Sequence, residues 1–449
     1  MRHVLVALLA VILAAVPSHA NDLPRKPMFG VRVAAVPDDV RLRESLGRTE
    51  GVLIEAVVPN STAGVGGLRP GDVIVGVDGR TIDGVDPFLK AIAALALQQR
   101  FEVTVVRQGQ RETRPFTLAE KPRDRGQNFD VLYGHVVSRG ARVRTVVTRP
   151  HAAGKHPSVF LIHGVGLNSI DEPLNGPSPY SRILREFAAS GYVTLRVEKP
   201  GVGDSEGGPA SALDFVSELD AYRDALRALR GADFVDADNV FIFGHSMGGV
   251  FAPILASESP VRGIAVYGTV VKTWTEYLLE NWRRQAALEG AAPAAIDTAL
   301  RELAPALHYL LVEGKTVDDI LQAHPKLRGI LRRLAPDNLI VGRALPFWRQ
   351  LAQENLPAYW AKGNAHVLSM WGKHDFLATE ADHPLIADIV NRARPGKGRY
   401  LALDGIDHGF RKTTSVEDSH RRWKIRGGEF DPQIVATLKD WTERIRRAE

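Results

Sequence analysis

The chain of 449 residues contains no cysteine. That excludes disulfides, thiolate metal sites, a cysteine nucleophile and lipid attachment through an N-terminal cysteine, and it leaves the redox compartment open. There is no HExxH sequence and no phosphate-binding loop ending in GK[ST], so neither a metal nor a cofactor is expected. There is little excess charge of either sign: the formal net charge is +5 and the basic residues are scattered. The run Arg444-Ile445-Arg446-Arg447 reads as a solvated helix end, and no nucleic-acid partner is expected. After the first twenty residues no apolar run is long enough to span a bilayer.

What is present is the composition of an ordinary globular protein, 45% apolar and 24% charged. At roughly 100–200 residues per domain the length suggests two or three domains. The N-terminus has its own pattern. Arg2 and His3 precede an apolar run over 4–16, and Pro17-Ser18-His19-Ala20 follows with small residues at the −3 and −1 positions. A charged start, a short apolar core and a small-x-small ending predict a Sec-type signal peptide over 1–20, and hence a periplasmic or secreted protein. The alternative is an uncleaved anchor.

Residues 21–28 read as a short proline-rich linker. A small α+β domain is then expected over 29–120. Strand-like runs at 31–35, 52–57, 73–77, 101–107 and 113–118 are separated by turn signals such as Pro59-Asn60-Ser61 and Asp78-Gly79, and 87–97 has the spacing of one amphipathic helix. The sequence Val58-Pro59-Asn60-Ser61-Thr62-Ala63, then Gly67-Leu68-Arg69-Pro70-Gly71-Asp72-Val73-Ile74 and Val77-Asp78-Gly79, resembles a bacterial PDZ domain, with Gly66 where the family usually has alanine. The resemblance implies that a strand edge captures an extended peptide, with the carboxylate-binding turn near Phe29, Gly30 and Val31. The alternative is a PDZ fold used as a spacer or docking surface.

Residues 121–128 are charged and turn-rich and read as a linker. In 129–449, strand-like runs at 159–162, 193–197, 240–243, 263–266, 367–370 and 400–403 alternate with helical patterns. Such alternation predicts βαβ units and a mostly parallel sheet with helices on both faces. The alternation is interrupted over 272–363 by a helical segment holding Trp274, Trp282, Trp348 and Trp360. That segment is a candidate lid, or equally a helical subdomain beside the sheet.

Gly244-His245-Ser246-Met247-Gly248-Gly249 follows one expected strand and opens a helix, the context a G-x-S-x-G elbow requires. Here the chain resembles the α/β-hydrolase family, from 129 to its end. His163-Gly164-Val165-Gly166 and Glu198-Lys199-Pro200-Gly201-Val202-Gly203-Asp204-Ser205 extend the likeness, with Glu198 where the commonest form has aspartate. In this fold the chain order is serine, acid, histidine. Ser246 is therefore the expected nucleophile. His408, in Asp404-Gly405-Ile406-Asp407-His408-Gly409, is the expected base, ahead of His366, His383 and His420. Asp375, after the 367–370 strand, is the expected acid, with Glu380 and Asp382 as fallbacks. Met247 and Val165, with Gly166 close behind, are the expected oxyanion donors. His163 reads as a brace for its loop. These residues suit an acyl-enzyme mechanism on a small acyl ester or a peptide. A peptide or protein ligand is expected on the PDZ-like domain. A non-catalytic binding protein is the third reading.

Overall fold

The structure is a computed structural model; it describes residues 23–174, 176, 178–425 and 428–447. The expected signal peptide lies outside the described residues. The first unit holds β1 (Val31–Ala35), α1 (Asp38–Arg43), β2 (Val52–Val57), α2 (Thr62–Val65), β3 (Val73–Val77), β4 (Arg80–Thr81), α3 (Val85–Ala93), β5 (Arg100–Arg107) and β6 (Gln110–Thr117). Its strands pair antiparallel in the order β1-β2-β3-β5-β6, with β4 on β3. The core is Val52, Ile54, Ile74 and Val103, closed by Phe29 packed edge-on against Phe88, Phe101 and Phe116. This packing explains the glycine at 66, since any Cβ there would run into the Phe116 ring. The helix expected over 87–97 runs over 85–93 instead. Beyond it the Ala96 N–H goes to the Gln99 side chain and Gln98 takes φ 64, so the last expected turn unwinds.

The second unit holds β7 (Phe129–Ser138), β8 (Ala141–Pro150), β9 (His156–Ile162), α4 (Pro179–Ala189), β10 (Val193–Val197), α5 (Phe215–Gly231), β11 (Val235–His245), α6 (Gly248–Glu258) and β12 (Gly263–Tyr267). Then follow α7 (Trp274–Leu288), α8 (Pro293–Leu307), α9 (Val317–Ala323), α10 (Arg328–Leu334), β13 (Leu339–Ile340), β14 (Arg343–Ala344), α11 (Leu345–Ala352) and α12 (Leu356–Ala361). β15 (His366–Gly372), α13 (Asp382–Ala393), β16 (Gly398–Leu403), α14 (Val416–Ile425) and α15 (Gln433–Arg447) complete it. The eight-stranded sheet has the order β7-β8-β10-β9-β11-β12-β15-β16. The hairpin β7–β8 and its pairing to β10 are antiparallel, and every other pairing is parallel. Strand interiors such as Phe160, Ile242 and Val266 are buried, as a sheet covered on both faces requires. The helical insertion shares one continuous core with the sheet: Leu303, Leu307, Ile330 and Phe347 belong to the same buried cluster as Phe160 of β9 and Ile242 of β11.

The two units meet along a polar seam built by both segments read as linkers. Lys121 N–H donates to Lys26 O, and Met28 N–H to Ala119 O, so the segments run side by side. The fully buried Arg25 donates to Asp171 (2.5 Å) and Asp204 (3.0 Å) of the second unit and to Pro122 O (2.8 Å). Its guanidinium lies 4.1 Å from the Tyr133 ring centroid. Lys121 Nζ donates to Ser169 Oγ at 2.9 Å.

Candidate active site

β11 delivers Ser246 at the end of the sheet, and α6 begins two residues later. Ser246 has φ 54, in the left-handed region, which a non-glycine residue adopts only when its surroundings impose it. Two glycines make the turn possible. A Cβ on Gly248 would collide with Ile162 O, and one on Gly249 with the Thr269 side chain. The Ser246 N–H is tied to Tyr267 O at 2.9 Å, so the strain is held from the neighbouring strand. Among the described residues Ser246 Oγ makes no hydrogen bond. Ser246 lines two cavities.

β15 and β16 carry Asp375 and His408 in the loops beyond their ends, and the structure brings these two together: His408 Nδ1 lies 2.7 Å from Asp375 Oδ2. Asp375 Oδ1 accepts from Leu377 N (2.8 Å) and Ala378 N (2.9 Å), which fixes the rotation of the carboxylate. Burial acts to raise the Asp375 carboxyl. The adjacent imidazole, its hydrogen bond and the two backbone donors outweigh burial and hold the carboxyl below the ordinary range. Gly268, with φ 61, backs this pair. A Cβ there would stand 2.8 Å from His408 Nδ1 and 2.9 Å from Asp375 Oδ2. His408 lines the same two cavities as Ser246.

His245 is a support that sequence reasoning does not reveal. Its Nε2–H donates to His408 O at 2.8 Å, so Nδ1 is the acceptor for the Tyr180 hydroxyl at 2.6 Å. Burial first, then the adjacent His408 ring, push its pKa down to about 3, so the ring stays neutral in this tautomer. The other candidates are otherwise engaged. His383 Nδ1 donates to Thr379 O, and Asp382 accepts from Val271 N. Glu380 accepts from Tyr400 OH, and Asp407 Oδ1 takes Gly409 N and Arg411 N. His366 is partly exposed at the start of β15, and His420 stands edge-on to Phe376.

Val165 lines both cavities, Gly166 one and Met247 the other. A Cβ on Gly164 would lie 3.3 Å from Ser246 Cβ, so the loop after β9 passes directly beside the serine. Behind that loop sits a buried charge cluster. Lys199 Nζ lies 3.1 Å from Glu218 Oε1, and Arg343 Nη1 lies 2.8 Å from Glu218 Oε2. Burial, reinforced by repulsion from Arg343, outweighs the pull of Glu218 and brings the Lys199 ammonium down to about 8. His163, also buried there, is driven well below its ordinary pKa by burial, Lys199 and Arg343. One signal for this cluster is in the sequence: Glu218 falls on the apolar stripe of α5 with Phe215, Leu219 and Tyr222. Removing its charge leaves two buried cations facing each other. Glu218→Gln is therefore expected to cost about 3–5 kcal/mol, read as a shift in the urea midpoint with unchanged m.

One cavity, of about 280 Å³, is lined by Trp274, Tyr277, Leu278, Ile340 and Trp348 under the insertion. The other, of about 380 Å³, opens past Asn168, Glu172, Tyr180 and Arg411. Trp423 of α14 borders both, its ring edge-on to His408 at 5.8 Å.

In the first unit, Phe29, one of the residues expected at the peptide turn, turns its side chain into the core. Gly30 has φ 89 and its carbonyl accepts from Val58 N at 2.8 Å. Val31 opens β1, whose outer edge has no strand partner among the described residues.

The chain belongs to the alpha/beta hydrolase family, whose profile matches residues 159–414, and it carries a PDZ domain, matched over residues 53–107. The esterase EstD of Thermotoga maritima is 21% identical over 303 residues, covering 66% of this chain and 64% of its own length. A probable periplasmic serine endoprotease, DegP-like, of Brucella suis is 26% identical over 100 residues, covering 22% of this chain and 20% of its own. The chain thus spans 64% or less of the length of these curated relatives. Among solved structures, a hyperthermophilic esterase from Pyrobaculum calidifontis is 16% identical, with 72% of this chain and 87% of that one covered at a TM-score of 0.42.

Proposed function

We propose that the protein is an exported serine hydrolase that cleaves carboxylic esters through an acyl-enzyme. The observation that carries this reading is the Asp375–His408 pair, bonded at 2.7 Å, whose His408 lines the same two cavities as the strained Ser246. His408 Nε2 takes the proton as Ser246 Oγ adds to the ester carbonyl. The N–H groups of Met247 and Val165, with Gly166, receive the negative oxygen. The tetrahedral adduct collapses, the C–O bond to the alcohol breaks, and His408 returns its proton to the departing oxygen. Water, deprotonated by the same nitrogen, then releases the acid and restores the serine.

Both hydrolysis of esters and hydrolysis of amides fit these residues. The apolar lining of the cavity under the insertion favours an acyl group there, with the alcohol in the other. A burial worth about 0.8 kcal/mol per CH₂ predicts a three- to fourfold rise in kcat/KM for each carbon added from p-nitrophenyl acetate upward, until the cavity is full. Leu278→Trp should move the optimum to shorter chains without lowering turnover of the acetate. The reading itself is tested with a fluorophosphonate probe: one adduct is expected, mapped by mass spectrometry to Ser246, with ester turnover lost in step. A folded chain that takes no label and hydrolyses no ester overturns it. Cleavage of peptidyl amides in preference to esters would turn the assignment to a peptidase.

The outer edge of β1, which pairs with no strand among the described residues, the left-handed Gly30 and the neighbouring α3 support a peptide docked on the PDZ domain at Phe29, Gly30 and Val31. Export to the periplasm or beyond is supported by the pattern over 1–20. No helix among the described residues is long and apolar enough to cross a membrane.

A further inference from the structure

Three successive carbonyls in the loop beside Ser246 are held from behind by two buried cations. Lys199 Nζ donates to Gly164 O at 2.6 Å and to Gly166 O at 3.0 Å, and Arg343 Nε donates to Val165 O at 2.9 Å. Glu218 sits between the cations and binds both, and all three side chains are completely enclosed. The ammonium thus has three acceptors for its three N–H bonds. The guanidinium lies against the Phe347 ring, 4.2 Å from its centroid.

In a planar trans peptide the C=O of one residue and the N–H of the next point in opposite directions. Holding Gly164 O behind the loop therefore aims the Val165 N–H forward, and holding Val165 O aims the Gly166 N–H forward. Each cation orients one of the amides expected to receive the oxyanion. Enclosing three charges is expensive, and an apolar trio of similar volume would serve a purely structural purpose as well or better. Amide orientation is something an apolar trio cannot supply.

We propose that Arg343, supplied by the helical insertion, is a positioning residue for oxyanion stabilisation: it fixes the peptide plane between Val165 and Gly166, and so the insertion completes the catalytic site rather than merely covering it. The inference rests on the reading of Ser246 as the nucleophile of an ester hydrolase.

The test uses the full chain with Arg343→Met and Arg343→Lys. Turnover of p-nitrophenyl butyrate is compared with inhibition by a trifluoromethyl ketone, which adds to the serine and places an oxyanion in the hole, and by the matching methyl ketone, which does not. For Arg343→Met, kcat should fall about 10- to 100-fold, KM should stay within about threefold, and trifluoromethyl ketone affinity should fall with kcat. Methyl ketone affinity should not move. Arg343→Lys keeps the charge beside Glu218 but cannot serve both acceptors, so it should show the same split, more weakly. A folded Arg343→Met, or a folded Arg343→Lys where methionine does not fold, with kcat and trifluoromethyl ketone affinity like the parent overturns the proposal. So does equal loss of both ketones, or a chain that folds with neither residue, since position 343 would then serve the fold alone. Failure of the underlying reading shows differently, as parent turnover that survives Ser246→Ala.

Discussion

Replacing Ser246 by alanine is expected to lower kcat for p-nitrophenyl butyrate by about 10⁵-fold or more, to the level of whatever the oxyanion donors and binding alone provide. The fold should not suffer. Ser246 Oγ makes no hydrogen bond among the described residues, so its loss strands no partner. The backbone bond from Ser246 N to Tyr267 O is kept by any residue that tolerates φ 54. Alanine at a left-handed position is no worse placed than serine, so the urea midpoint should stay close to that of the parent. Turnover and circular dichroism on one preparation check both halves. Residual turnover above about one-thousandth of the parent would assign the reaction to a different nucleophile.

Asp375→Asn is expected to lower kcat about 10⁴-fold near neutral pH, with the hydrogen-bond pattern as the reason. Leu377 N and Ala378 N both donate to Oδ1. The oxygen of an asparagine amide must therefore take that place, which turns its NH₂ toward His408 Nδ1. Facing a donor, Nδ1 becomes an acceptor, and the ring proton moves to Nε2, where the serine proton has to go. The substitution also changes the response to acid. The Asp375 carboxyl is held below its ordinary range, so its ionised form contributes stability that is present above the unfolded value of about 3.9 and is lost as pH falls below it. The parent should lose this contribution below about pH 4, and Asp375→Asn should not. Parallel acid-unfolding curves would remove the carboxylate from the stability argument. A kcat within about tenfold of the parent would remove it from the mechanism.

Much of the fold is legible in the chain because short-range chemistry dictates it. The β-branched run at 193–197 and the strand, glycine turn and helix around Ser246 need only local steric rules to be recognised. The same is true of 31–35, 52–57 and 73–77. The hairpin β7–β8 is harder to see, because one side of it is partly exposed and its alternation is interrupted by Gly134, His135 and paired arginines. α1 is six residues long, too short for a period to show. The segments around Arg25 and Lys121 look like linkers because proline and charge dominate them locally. Their partners, Asp171, Asp204 and Ser169, lie far along the chain.

The candidate site divides in the same way. Sequence by itself determined the family, the PDZ domain, and the placement of Ser246, Asp375 and His408 in the turns and loops that follow three strands, since motif residues and chain order follow from backbone sterics and sheet topology. Tertiary structure alone decided that Tyr180 and His245 hold the backbone of His408, that Gly268 must lack a side chain, and that Trp423 borders both cavities. It also decided that Arg343, 178 residues from Val165, reaches the carbonyl behind that residue. Packing and buried electrostatics join residues by distance in space, and no local pattern in the chain records which cation will end beside which carbonyl.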